Sequence, residues 1–342
     1  MTERDLIAHI RHFAGKERQG VIQGIGDDCA VLDKDEVYVW LLTMDTLIES
    51  VHFDCSWHPP YLLGRKAVSV NVSDIAAMGG KPAFALLSLG LPADFSPEWA
   101  TELSRGIHHA CNQYGCLLIG GDTVRSPEKV SLTLTLIGET GREQVLYRHG
   151  AVPGDIIWVS GALGYAAAGL DYFQAEQHKQ HNAPLSEYPP EIASCIKAHL
   201  DPEARVKLAR SLALSGSVHA MMDLSDGLAT DLSHLCKQSG AGALIEAEQL
   251  PGQESLAAAA SLLGRKSIID WMIAGGEDYE LLFTADPKDS NSILTAAEEQ
   301  GGSVTAVGVI KKGQGVALCR KTAQGYEEQP VSFHGFDHFT KD

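Results

Sequence analysis

Aspartate placement constrains this chain more than any other feature of its sequence. Gly24-Ile25-Gly26-Asp27-Asp28, Thr43-Met44-Asp45, Asn71-Val72-Ser73-Asp74, Gly120-Gly121-Asp122 and Met222-Asp223-Leu224-Ser225-Asp226-Gly227 each set an acid beside glycine, a hydroxyl or an amide. Most of these motifs follow or interrupt an apolar segment, so folding places the acids at the edge of a core. Taken singly, each reads as a cap or turn residue. Together they imply more, because an isolated buried carboxylate is costly and several converging carboxylates need cations. Oxygen ligands without histidine or cysteine among them suit Mg²⁺.

Charge and length narrow the partners and the architecture. With 27 Lys and Arg against 44 Asp and Glu, the formal charge is −17. Nucleic acid and anionic membrane reward clustered cations, so neither is expected as a main partner; phosphorylated ligands held through metal ions remain open. A chain of 342 residues exceeds the size at which one core stops growing, which predicts two domains. The 7 cysteines form no CxxC pair, and free thiols in a reducing compartment are expected. The N-terminal segment reads as a short amphipathic helix with Leu6, Ile7, Ile10 and Phe13 on one face, not as a signal peptide. No apolar run reaches the ~20 residues that span a bilayer, so a soluble, cytoplasmic protein is expected.

Along the first half, strands and helices alternate. Residues 36–43 read as a strand ending at Asp45, 64–78 as a helix of small and apolar residues carrying Asp74, and 83–91 as a buried strand. Ser96-Pro97 opens a helix that Gly115 stops, CLLIGGD is a strand running into a glycine turn, and 129–140 alternates as a half-buried strand. A join is placed near 140–155, giving domains over 1–148 and 149–342. The second half repeats the alternation: strand DIIWVSG, helix ALGYAAAGLDYF, a polar surface loop or frayed helix end over 174–190, a helix at 203–214, AMMDLSDGL leading into a helix to Gln238, and strands GALIE, YELLFT and SVTAVGVI. Alternating strands favour two halves of antiparallel character over one doubly wound sheet.

Magnesium on carboxylates most often serves a nucleoside triphosphate, yet GxxxxGK[ST] and the HRD…N and DFG set are both missing. A phosphate cradle must be built otherwise. Gly120-Gly121 is a candidate, although glycines alone are a weak signal and fit an ordinary turn better.

GIGDDCAVL, TMDTLIESVHF, KAVSVNVSDIAAMGG, LIGGDTVRSP, MMDLSDGLATDLSH and GGEDYELLFT occur in the order and spacing of the thiamine-monophosphate kinase family. That family belongs with aminoimidazole-ribonucleotide synthetase and selenophosphate synthetase. The resemblance runs from about residue 20 to the closing GFDHF. It implies an α/β (α+β) fold of two domains, an N-terminal ATP- and Mg²⁺-binding sheet domain pairing across a dimer axis and a C-terminal α/β domain. It also implies ATP-dependent phosphorylation of thiamine phosphate, several Mg²⁺ ions and a homodimer.

Motif by motif, the resemblance implies metal ligands at Asp28, Thr43, Asp45, Asp74, Asp122, Asp223 and Asp226, with Asp27 a weaker candidate. Gly121, Asp122, Arg148 and Ser225 would contact the nucleotide; His52, Glu277 and Phe336 would contact the substrate. Met44 stands where the family usually has a second hydroxyl, and Phe336 where tryptophan or tyrosine is common. His52 and Glu277 each have a structural alternative, a core histidine and a turn or cap acid. Trp271 and Tyr279 read as core, and Asp231 with His234 as a solvated helix pair. The acceptor phosphate is nucleophilic once ionised, so direct transfer needs no general base and no phosphoenzyme. Two rivals share the fold: a sister synthetase activating another acceptor, and a non-catalytic metal-binding assembly factor.

Overall fold

The computed structural model describes residues 3–14, 18–175 and 184–331. Among these, two sheets form, the first complete by Gly141 and the second beginning at Ile156. The first contains β1 (Val21–Gln23), β2 (Ala30–Asp33), β3 (Tyr38–Ile48), β4 (Lys81–Leu91), β5 (Leu117–Arg125) and β6 (Ser131–Gly141), in the order β1-β2-β3-β6-β4-β5. Every pairing in it is antiparallel except that of β4 with β5. The second contains β7 (Ile156–Ser160), β8 (Val218–Asp223), β9 (Gly242–Glu246), β10 (Leu281–Ala285), β11 (Val304–Lys311), β12 (Gly315–Thr322) and β13 (Gly325–Pro330), ordered β13-β12-β9-β11-β7-β10-β8. Only β12 and β9 run parallel there. The expected two halves of antiparallel character are present.

The helices are α1 (Glu3–Phe13), α2 (Pro60–Ala77), α3 (Pro97–Tyr114), α4 (Tyr165–Ala175), α5 (Pro190–Leu200), α6 (Val206–Ser215), α7 (Leu228–Ser239), α8 (Gln253–Leu263), α9 (Ile269–Ala274) and α10 (Ser290–Glu299). α3 starts as the sequence dictates: Ser96 Oγ accepts the Trp99 N–H at 3.2 Å, Pro97 follows, and Gly115 closes it in the left-handed region at φ 73°. α2 is the axis of the molecule. It packs on α3, β3 and β6 and also reaches α6 and β8 beyond the first sheet. Its crossing with α3 is close because glycine is present on both sides: a Cβ on Gly64 would lie 2.2 Å from Leu103 O, and one on Gly106 1.9 Å from Tyr61 O.

Several expectations are revised. Asp45 lies within β3, which continues to Ile48, instead of ending the strand. β5 passes straight through Gly120-Gly121 without a turn. Here glycine answers a close approach, since a Cβ on Gly121 would sit 1.8 Å from Leu87 O. α1 forms, but its apolar face finds no cover: Ile10 is 52% and Phe13 74% exposed. β6 alternates between buried and half-buried positions as predicted. Residues 176–183 of the polar segment lie outside the described residues, while a short 3₁₀ turn at Leu185–Glu187 leads into α5.

Candidate functional site

Three acids from three elements meet at the buried end of α2. Asp28 comes from the β1–β2 connection, Asp74 from the last turns of α2, and Asp223 from the end of β8. Each offers a carboxylate oxygen within 4.8 Å of the others. Neighbouring groups fix them: Thr43 Oγ1 donates to Asp74, Ser73 Oγ donates to Asp223 Oδ2 at 2.7 Å, and Asn71 Oδ1 accepts the Asp45 N–H at 3.0 Å. Among the described residues, Arg148 is the cation paired with Asp28, with Nε 3.0 Å from Asp28 Oδ1. Asp28 Oδ2 is buried with no hydrogen-bond partner.

The electrostatics follow from crowding anions away from water. Burial, then the Asp28 charge, pushes Asp223 up to about 8. Burial, then Asp226 and Asp28, raises Asp45 to about 6, and burial, then Asp28, raises Asp27 to about 7. Asp74 moves well above the carboxylate range through burial and the charges of Asp45, Asp223 and Asp28. Such a cluster is short of positive charge. Hard oxygens at this spacing, including an orphaned one, fit a divalent cation of the Mg²⁺ kind.

Beyond the cluster, GGEDYE runs back along the segment carrying Asp223 and Ser225. The Glu277 N–H donates to Ser225 O and the Tyr279 N–H to Leu224 O, both at 2.8 Å. Its three acids all reach protein groups. Glu277 Oε1 lies 3.0 Å from Lys66 Nζ, and Oε2 lies 3.2 Å from His199 Nδ1. Asp278 Oδ2 accepts the Gly164 N–H at 2.6 Å, ahead of α4, and Glu280 pairs with Arg205 and accepts from Ser160 Oγ.

Against known families, residues 26–140 match the AIR synthase related protein N-terminal domain and residues 152–320 its C-terminal domain. Two relatives are named thiamine-monophosphate kinase. That of Aquifex aeolicus (strain VF5) is 38% identical over 88% of this chain and 90% of its own length. That of Escherichia coli (strain K12) is 35% identical over 98% of both chains. The solved structure of AaThiL complexed with AMPPCP and TMP superposes with a TM-score of 0.83 at 34% identity, covering 99% of this chain and 97% of that one. This chain belongs to the thiamine-monophosphate kinase family.

Within that family, the residues implied by resemblance fall into groups. Asp28, Asp74 and Asp223 converge, Thr43 bonds to one of them, and Asp226 is close enough to raise Asp45 electrostatically. Ser225 is half-buried on the loop after β8, and Arg148 is bonded to Asp28, its backbone N–H also facing Asp27. Gly121 and Asp122 do not join the group. They lie exposed on edge strand β5, with Asp122 level with Ser88, Thr133 and Thr46 across the sheet. Met44 is 64% exposed on the same open face. His52 is half-buried in the turn after β3, where its Nδ1 accepts the Ile48 N–H at 3.0 Å. Glu277 turns its carboxylate inward. Phe336 lies outside the described residues.

One reading is corrected outright. Asp231 is not solvated: it is 1% exposed, and its Oδ2 accepts the N–H groups of Asp226 and Gly227 at 3.1 Å. The acid in the first turn of α7 caps the loop that carries Asp226. Trp271 is core as expected, whereas Tyr279 is half-buried beside the acids, in the left-handed region at φ 50°. Sequence reasoning passed over Lys66 and His199. A single lysine in the otherwise small and apolar run KAVSVNVSDIAA was the available signal.

Proposed function

We propose that this chain transfers the γ-phosphoryl group of ATP to the phosphate of thiamine monophosphate, giving thiamine diphosphate, at the carboxylate cluster beside α2. The observation that carries this reading is the convergence of Asp28, Asp74 and Asp223 with too few cations of their own. Mg²⁺ held by these acids, with Asp45, Asp226 and Thr43 beside them, would neutralise charge between two anionic reactants.

The chain's own residues supply positioning. Ser73 and Thr43 aim the Asp223 and Asp74 carboxylates, and Arg148 steadies Asp28 while linking it to the nucleotide that the family would place there. Ser225 stands beside Asp223 for the nucleotide phosphates, and His52 and Phe336 stand for the thiamine phosphate. The acceptor phosphate is ionised near neutral pH, so no side chain need take a proton from it. Direct transfer follows.

A second copy of the chain completes the reading. The open face and edge of the first sheet expose Met44, Phe84, Leu86, Leu117, Ile119 and Val124, an apolar surface suited to pairing with itself. Asp122 and Gly121 lie on that same edge, so in a homodimer they would stand at the subunit boundary with the nucleotide. Among the described residues, no helix is long and apolar enough to cross a membrane. All 7 cysteines are free, which fits a reducing cytoplasm where ATP is abundant.

The test is an assay with γ-labelled ATP. Label recovered in thiamine diphosphate supports the reading. ADP release that requires another acceptor points to a sister synthetase, and Mg²⁺ binding without turnover to an assembly factor. A phosphohistidine or phosphoaspartate isolated after quenching would defeat direct transfer.

A further inference from the structure

We propose that Lys66 is a positioning residue: with His199 it holds the Glu277 carboxylate inward and so locks the 277–279 segment, and the metal acids behind it, onto α2. This rests on the kinase reading above. Lys66 is 0% exposed and His199 2% exposed. The lysine Nζ bridges Glu277 Oε1 and the His199 carbonyl, each at 3.0 Å. Burial would raise Glu277, but the Lys66 charge and the His199 contact hold it well below the carboxylate range, so it is a fixed anion. Burial, then Lys66, lowers His199, which therefore stays neutral near pH 7.

The backbone at this point is strained in a way that needs holding. Glu277 at φ 68° and Tyr279 at φ 50° are two non-glycine residues in the left-handed region within three positions. Such a conformation persists only where its surroundings over-determine it. The restraint comes from one helix. Two turns after Lys66, Ser73 lies on the same face of α2 and bonds to Asp223, and the next residue, Asp74, belongs to the cluster. α2 thus grips the C-terminal half at two points. One sets the 277–279 segment and the other sets Asp223, and the 2.8 Å bond from Glu277 N to Ser225 O joins them. On this account Glu277 acts through Lys66 and not through a bond to the thiazolium cation.

The two roles separate in a double-mutant cycle of Lys66→Met, Glu277→Gln and the combined variant. kcat/KM for thiamine phosphate should fall about 10-fold or more in each single variant, the scale of a misplaced reacting group. The combined variant should fall no further than the worse single one, because the two changes break the same lock. It also removes both charges together, so it folds even if a buried, unpaired Glu277 unfolds Lys66→Met. Losses that multiply in the combined variant overturn the proposal, since Glu277 would then act on substrate independently of Lys66. Mn²⁺ alone, titrated by electron paramagnetic resonance on the folded combined variant, gives a second reading. A midpoint weakened about 3-fold or more supports the lock, and an unchanged midpoint overturns it. If the wild-type chain does not phosphorylate thiamine phosphate, the kinase reading falls while the Mn²⁺ titration still decides the lock.

Discussion

Two groups of buried or half-buried carboxylates meet α2, and they are treated in opposite ways. At the C-terminal end, Asp28, Asp74 and Asp223 converge, with Arg148 bonded to Asp28, and burial drives Asp223 up to about 8. Toward the N-terminal end, Glu277 meets Lys66 and is held far below that range. Both sets leave water, so both incur desolvation; the difference is whether the chain supplies the compensating charge. Where the anion is part of the scaffold, a lysine is folded in beside it. Where the charge must come and go with a ligand, the protein leaves the deficit open. On the proposed reading, unneutralised burial would mark the working site, and neutralised burial its support.

The largest expected effect falls on the open side of this comparison. Asp223→Asn should lower turnover by ~10² or more, the scale of removing one charge-stabilising element. The metal-free thermal midpoint should hold or rise, because the change relieves repulsion among the acids. Steady-state kinetics alongside melts in EDTA check both halves. Normal turnover would make Asp223 structural and erase the distinction.

The supporting side predicts the reverse signature. Arg205→Met leaves Glu280, 5% exposed, without its cation. Removing one partner of a buried pair costs roughly 3–5 kcal/mol, and Arg205 at 37% exposure argues for less than that, about 2–3 kcal/mol. Denaturant melts should show that loss, while kcat at a temperature well below the midpoint stays within about 3-fold of wild type. A variant with full stability but ~10² lower kcat would place Glu280 in the chemistry.

How far this division could be read from sequence depends on the residue. Convergence of Asp28, Asp74 and Asp223 was legible because each acid closes or interrupts an apolar run, and runs pack together. The inward turn of Glu277 was not. Its partner Lys66 lies on another domain's helix, and no local periodicity records a pairing between distant segments. Asp231 misled for a related reason: one turn from His234 it looks like a solvated pair, but a folded-back loop took its carboxylate for two backbone N–H groups. Gly121 was read as a turn residue when the true constraint is the Leu87 carbonyl of the neighbouring strand. β6 and α3, by contrast, came through, since they carry their own alternation, cap and stop signals, whereas α5, α8, α9, α10 and strands β1, β2, β12 and β13 were not read.

The smallest predicted effect concerns Asp278, which belongs to the supporting segment yet has no cation. Burial raises it to about 8 from 3.8, and the N–H groups of Gly164 and Ala166 only partly oppose that. A folded-state value above the unfolded one means that the native protein keeps a proton the unfolded chain releases. Its contribution to stability is therefore full below about pH 4, declines as pH rises toward 8, and is lost above that. Asp27, Asp45 and Asp223 add slopes of the same sign, so only the difference between variants isolates Asp278. Asp278→Asn keeps an oxygen for the Gly164 N–H but cannot ionise. In EDTA its midpoint should fall less than that of wild type between about pH 5 and pH 8, by at least ~2 °C, the shift that roughly 1.5 kcal/mol gives at this size. Parallel curves would show Asp278 ionised throughout, its capping bonds then outweighing burial. The neutralised side of the comparison would in that case include an acid held by backbone dipoles instead of a lysine or arginine.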